Sequence, residues 1–200
     1  MEECIPKTDL VTLKSRWDRE GVVCIRNAFE HHADMVEAAG KTETFADARV
    51  PSRTSQCLPD SHPIASGVRA DGEFNRLYEH LHGYPLANDH FPTEYRVYGE
   101  GSNGMKAHRD LVMFDRPQTE MVYTTHNDSD SQFHWTDSEG KQHSFSPQPN
   151  DVVLVKANGP VHGVTPLTQG TRGIVKFLGH APGSVPNHAL RIQKEMCPEK

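Results

Sequence analysis

Two groups of residues have the types and spacing to do chemistry. The first lies in Val161–Phe177, whose skeleton is His162-x-Val164-x-Pro166-x-x-x-Gly170-x-Arg172. Val161–Thr165 favours a strand, Pro166 stops it, Gly170 permits a tight reversal, and Gly173–Phe177 resumes as an apolar strand with Arg172 at its mouth. The His162 imidazole can hold a metal, and the Arg172 guanidinium can grip a carboxylate with two parallel hydrogen bonds. The second group is a His-x-Asp pair. On a strand, residues i and i+2 share a face, so such a pair can aim an imidazole and a carboxylate at one point. One more histidine from a neighbouring strand completes a two-histidine, one-carboxylate set with open positions, which suits non-haem Fe(II).

Three His-x-Asp pairs occur: His32-Ala33-Asp34, His108-Arg109-Asp110 and His126-Asn127-Asp128. The first falls in a predicted helix, where i and i+2 point roughly 200° apart and cannot chelate. The third opens the polar stretch Asn127–Asp130 and reads as turn chemistry. The second enters the apolar run Leu111–Phe114, which reads as a core strand, so His108 and Asp110 are the candidates to join His162. The alternative is a pair of surface residues beside Arg109.

The elements that must position these residues change character along the chain. Leu10, Leu13 and Trp17 lie at helical spacing within Asp9–Arg19, with Thr8 or Asp9 as cap and Gly21 as stop. Val22–Ile25 reads as a buried strand, His31–Ala39 as a helix, and Asp71–His82 as a helix with Phe74, Leu77, Tyr78 and Leu81 in one stripe. Gly40–Ala70 lacks periodicity and reads as long loops, a candidate lid. From Glu94 onward short strand candidates follow one another: Tyr95–Tyr98, Lys106–Phe114, Met121–Thr125, Gln132–Trp135, Val152–Lys156, Val161–Thr165 and Gly173–Leu178. Turn residues separate them, which suggests an antiparallel barrel or jelly roll. A short helix is expected at Ala189–Lys194.

With 200 residues the chain suits one domain: a helical, loop-rich support over 1–93, a jelly-roll core over 94–180 and a tail over 181–200. Hydrophobic residues make up 35% and mean hydropathy is −0.67, so the core is modest and loops are plentiful. No apolar run approaches a membrane span and Met1–Leu10 lacks a signal-peptide core, so a soluble, cytoplasmic protein without a membrane partner is expected. A net charge of −6 with no basic cluster argues against nucleic acid. Cys4, Cys24, Cys57 and Cys197 are scattered with no CxxC, which favours free thiols over a disulfide framework.

Over Tyr95–Phe177 the chain resembles the Fe(II)- and 2-oxoglutarate-dependent oxygenases, through Tyr98-Gly99 ahead of His108-x-Asp110 and the His162…Arg172 motif. The histidine-to-basic spacing is the specific feature, and Asn150–Leu154 also looks like the family's turn and strand leading to the distal histidine. The prolyl-hydroxylase-like branch is the most similar in character. The resemblance implies a mostly β chain with N-terminal helices and a double-stranded β-helix core. It implies Fe(II) on His108, Asp110 and His162, and 2-oxoglutarate on Arg172 with the Tyr98 hydroxyl and a second hydroxyl from Tyr123. O2 is the co-reactant, and a C–H bond of a small metabolite, amino acid or peptide side chain is hydroxylated or desaturated. The carboxylate of Asp110 argues against halogenation, which needs that ligand position open for chloride. A nucleic-acid demethylase would show a second arginine where Leu178 stands.

Plainer roles remain for several of these residues. Arg172 could form a surface salt bridge, Tyr98 and Tyr123 could be core tyrosines, and Lys176 could be a rival anion binder or a snorkelling edge lysine. Trp135 and Met105 either line the substrate pocket or pack; His134, His143 and His180 read as solvent-facing or supporting residues. Gly40–Ala70 and Gly99–Gly104 are expected to shape the substrate pocket. Two rival functions use the same fold: a cupin-like metal enzyme that needs no 2-oxoglutarate, and a non-catalytic jelly-roll binding module.

Overall fold

The structure, a computed structural model, describes residues 4–89 and 91–195, with side chains in the last helix as far as Arg191. Strands β1 (Cys4–Pro6), β2 (Val22–Arg26), β3 (Phe45–Ala46), β4 (Arg53–Leu58), β5 (Thr93–Tyr98), β7 (Gln118–Asn127), β10 (Val152–Lys156) and β12 (Arg172–His180) form one sheet, in the order β1-β2-β10-β7-β12-β5-β4-β3. A smaller sheet runs β6 (Met105–His108), β11 (His162–Val164), β8 (Phe133–Thr136), β9 (Gln142–Phe145). Apart from the parallel β1–β2 pair, the ladders are antiparallel.

Helices α1 (Leu10–Glu20), α2 (His32–Gly40), α3 (Pro63–Ala70) and α4 (Gly72–His82) support the large sheet, and α5 (His188–Glu195) follows the last strand. Asp9 caps α1 by accepting from Thr12 N, and Asp71 caps α4 by accepting from Phe74 N. Gly21 and Gly83 end those two helices in the left-handed region. The apolar stripes of α1 to α4 meet alternate residues of the sheet, including Tyr95, Met121, Tyr123, Val152, Leu154, Val175 and Phe177, in the main core.

Four expectations need correction. Gly40–Ala70 is not a lid of loops: it holds β3, β4 and α3, and β4 pairs with β5 along its whole length. Its alternation is hidden because both faces of Arg53-Thr-Ser-Gln-Cys-Leu58 carry polar residues. The run after His108 is not a core strand: β6 ends at His108, and Leu111 and Val112 are 65% and 46% exposed. Lys176 is not an edge lysine, because β12 lies between β7 and β5. The free-thiol reading also fails: Cys4 and Cys24, opposite one another in the β1–β2 ladder, form a disulfide, and none of the described cysteines is free. A separation of 20 residues could not show that pairing. Cys197 lies outside the described residues. No helix among the described residues is long and apolar enough to cross a membrane.

Candidate active site

The small sheet brings the two histidines together. His108 and His162 are direct partners across the β6–β11 ladder, with ring centroids 4.5 Å apart. Asp110 lies just past the end of β6. Its Oδ1 is 3.6 Å from His108 Nε2 and its Oδ2 is 3.5 Å from His162 Nε2. One ligand atom from each residue falls within 4.8 Å of the others, a spacing fit for one metal ion. The chemistry of the donors fits too. His108 Nδ1 faces the Lys106 carbonyl at 2.9 Å and His162 Nδ1 faces the Pro160 carbonyl at 3.2 Å. A carbonyl only accepts, so each Nδ1 carries the proton and each Nε2 lone pair is free for a metal. Asp110 Oδ2 is buried with no hydrogen-bond partner, an unmet demand that a cation would answer.

Electrostatics around Asp110 act in opposite directions. Burial alone would raise its pKa, but the contact with His108 and the neighbouring His162 outweigh that and lower it. The same contact raises His108. Glu120 is pushed up, chiefly by burial, with Asp110 adding to the push and Lys176 opposing it.

The large sheet supplies the opposite wall of the pocket. Arg53, Tyr98 and Arg172 form one cross-strand row on β4, β5 and β12. Arg96 and Lys176 line the same face. Three of the cations on this face have carboxylate partners: Arg53 with Asp47 at 2.7 Å, Arg96 with Glu94 at 2.6 Å, and Lys176 with Glu120 at 2.7 Å. Arg172 has none among the described residues. It is 3% exposed and its Nε lacks any hydrogen-bond partner. Burial pulls its pKa down and the Tyr98 oxygen partly counters. An unpaired buried guanidinium is costly unless an anion joins it. Burial would raise the Tyr98 hydroxyl, yet Arg96, Arg53 and Arg172 around it bring it below its ordinary value. Val122, Val153, Val155, Leu167 and Ile174 fill the lining between these polar groups with apolar surface.

Other candidate residues lie elsewhere. Tyr123 is one residue out of phase with the pocket-lining Val122. It is buried in the helix-covered core, with its hydroxyl 2.6 Å from His32 Nδ1, so it offers nothing to the pocket. A bulge at Thr125 lets His126 pair with Gly173, out of phase with Arg172 and Ile174. Asp128 accepts from the Thr171 amide and hydroxyl, as turn chemistry predicts. Gly170 at φ 77° makes the reversal before Arg172, and a side chain there would collide with the Asp128 backbone. Met105 lines the pocket, whereas Trp135 packs between the sheets. His180 is buried against Asp89, and His143 bonds Asp137 at 2.7 Å. Arg96 and Glu120 went unnoticed in the sequence; Arg96 was within reach, because Glu94-x-Arg96-x-Tyr98 places three polar residues on one face of a strand.

No family model matches the chain, and no curated protein matches it. Solved structures do. HygX from Streptomyces hygroscopicus, solved with nickel and 2-oxoglutarate bound, is 14% identical with a TM-score of 0.68, over 86% of this chain and 87% of that one. SnoN, the non-haem α-ketoglutarate-dependent epimerase from nogalamycin biosynthesis, gives 13% and 0.73 over 90% and 86%. A Pseudomonas putida prolyl-4-hydroxylase gives 15% and 0.67 over 87% and 100%. The chain therefore has the double-stranded β-helix fold of the 2-oxoglutarate- and iron-dependent oxygenase structures, as its motifs led one to expect.

Proposed function

We propose that the chain is an Fe(II)- and 2-oxoglutarate-dependent oxygenase, working as a single domain. His108, Asp110 and His162 hold the iron, and Arg172 with Tyr98 holds the distal carboxylate of 2-oxoglutarate. The observation that carries this reading is the lone Arg172. Among the described residues it is the pocket-facing cation without an internal anion, and it faces into the pocket that His108 and His162 also line. A five-carbon dicarboxylate has the chemistry to serve both, with one carboxylate for the metal and one for the guanidinium. Iron so held supplies O2 activation, with 2-oxoglutarate converted to succinate and CO2 and a substrate C–H bond oxidised.

The chain's own residues do the rest. The Lys106 and Pro160 carbonyls hold both imidazoles in the tautomer that offers Nε2. Asp110 occupies the carboxylate position, which favours hydroxylation or desaturation over halogenation. Glu94, Asp47 and Glu120 engage Arg96, Arg53 and Lys176, so Arg172 stays available to the cosubstrate. The apolar lining excludes water and strengthens that pair.

Neighbouring structures accommodate hygromycin B in HygX, nogalamycin RO in SnoN, and a hypoxia-inducible-factor peptide fragment in a prolyl hydroxylase from Trichoplax adhaerens. For this chain a small metabolite, an amino acid or a peptide is the substrate class to screen. The Cys4–Cys24 disulfide removes the free-thiol argument for a cytoplasmic location. The test is succinate formation from 2-oxoglutarate with Fe(II) and O2 across these classes, read together with product mass. His162→Ala should lose iron and turnover, while His32→Ala should keep both. Product formed without 2-oxoglutarate would contradict the reading in favour of a cupin-like enzyme, and a wild type that binds no iron would leave a binding module.

A further inference from the structure

Asp110 poses a problem of support. Its histidine partners sit on a ladder, but β6 stops at His108, and no strand fixes the backbone from which the carboxylate projects. Apolar burial takes hold only at Met113 and Phe114, because Leu111 and Val112 face outward. Yet the carbonyls of Asp110, Leu111, Val112 and Met113 all have donors. Asn158 N donates to Asp110 O at 3.0 Å, and Asn187 N donates to Met113 O at 2.9 Å. Gln118 Nε2 donates to Leu111 O at 2.9 Å and Asn187 Nδ2 donates to Val112 O at 2.8 Å.

Gln118 makes three side-chain bonds to this segment. It is the first residue of β7 and 3% exposed. Besides its bond to Leu111 O, its Oε1 accepts from the amides of Met113 and Phe114. Its own carbonyl accepts from Ala157 N at 3.1 Å, next to the Asn158 amide that reaches Asp110 O. One buried residue thus bonds the segment after Asp110 through its side chain and the turn that leads into His162 through its backbone carbonyl.

We propose that Gln118, assisted from the outside by Asn187, is the positioning residue that holds Asp110 on the metal. This rests on the metal site of the preceding section. Most of the bonds that an element normally supplies along its ladder come here from two residues, Gln118 and Asn187, so the carboxylate's placement depends on groups that never touch the metal.

The test is a double-mutant cycle on Co(II) affinity, measured on the full chain by competition with a chelator and by the cobalt d–d absorbance. Gln118→Met keeps the length and loses the bonds. It should weaken Co(II) about tenfold or more, in the range of changes to groups that orient metal ligands. In an Asp110→Ala background the same change should alter affinity by less than about twofold, because its effect acts through the missing carboxylate. Gln118→Glu, which keeps the acceptor for Met113 and Phe114 and loses the donor to Leu111, should fall between. If Gln118→Met does not fold, Asn187→Ala should show the same dependence on Asp110 with a smaller loss. Equal losses in both backgrounds, or unchanged affinity in a folded Gln118→Met, would overturn the proposal and leave the metal site standing. Equal Co(II) affinity in wild type and Asp110→Ala would overturn the site and the proposal together.

Discussion

The two faces of the large sheet are built from the same strands, one residue out of step. One face carries Tyr95, Tyr123, Val175 and Phe177 and is covered by helices; its contacts are apolar and continuous. The other carries Arg53, Arg96, Tyr98, Arg172 and Lys176, faces the small sheet, and buries more charge than a stable core needs. Substituting one buried ion pair by apolar groups is often neutral or stabilising, so a whole row of them is weak evidence for stability. The difference teaches a division of labour along a single β-strand. Odd and even residues of β12 answer to different demands: Val175 and Phe177 to folding, Arg172 and Lys176 to the pocket.

The comparison can be broken most forcefully at β12. Phe177→Ala should cost about 3–5 kcal/mol in unfolding free energy through the cavity it leaves. Arg172→Met should cost nothing measurable or add stability, since it removes a desolvated cation without an anionic partner among the described residues. Urea denaturation of both variants checks this; similar losses would erase the distinction between the faces.

A pH series sharpens it from the helical side. His82 stacks on Tyr78 with ring centroids 3.8 Å apart, and burial, with Lys156 and Lys14 nearby, lowers it from 6.5 to about 4. The folded imidazole resists a proton that the unfolded chain accepts at its ordinary value. Stability should therefore be level above pH 6.5, fall between about 6.5 and 4, and level off again below as far as His82 is concerned. At ~1.4 kcal/mol per pKa unit the fall is roughly 3–4 kcal/mol. His32, His62, His126 and His134 are lowered as well, so His82→Phe should retain a shallower slope rather than none. A slope identical to that of wild type would remove His82 from the account.

The smallest effect separates two tyrosines on opposite faces. Tyr123→Phe strands His32 Nδ1 and should cost about 1 kcal/mol of stability while leaving 2-oxoglutarate affinity unchanged. Tyr98→Phe should do the reverse, weakening 2-oxoglutarate by up to about tenfold. Isothermal titration and thermal melts on the two variants check the crossover.

Much of this was legible in the sequence where one periodicity ruled. Leu13 and Trp17, or Phe74, Leu77, Tyr78 and Leu81, mark helices because their other faces are polar. His162 and Arg172 announce themselves by spacing. The failures share a cause. In β4 both faces carry polar residues, so alternation vanishes and a paired strand looks like a loop. Tyr123 looked like a pocket hydroxyl because composition does not tell which phase of β7 faces inward, and the bulge at Thr125 resets that phase before His126. Asp110 was placed near His108 by a strand that ends too soon. The stretch that follows it is irregular and is bonded by Gln118 at Leu111 and Asn187 at Val112, contacts that no local pattern encodes.

The central claim is that Arg172 is left unpaired in order to bind the distal carboxylate of 2-oxoglutarate. It is tested most directly by titrating 2-oxoglutarate into the anaerobic Fe(II)-loaded protein and following the metal-to-ligand charge-transfer absorbance. Wild type should bind; Arg172→Met should bind roughly one to two orders of magnitude more weakly, for a charged bond of about 1.5–3 kcal/mol. Arg172→Lys should fall between, keeping charge without the fork. Iron stoichiometry should hold in all three. An unchanged dissociation constant in Arg172→Met would contradict the account and move the anion anchor to another pocket cation, Lys176 first.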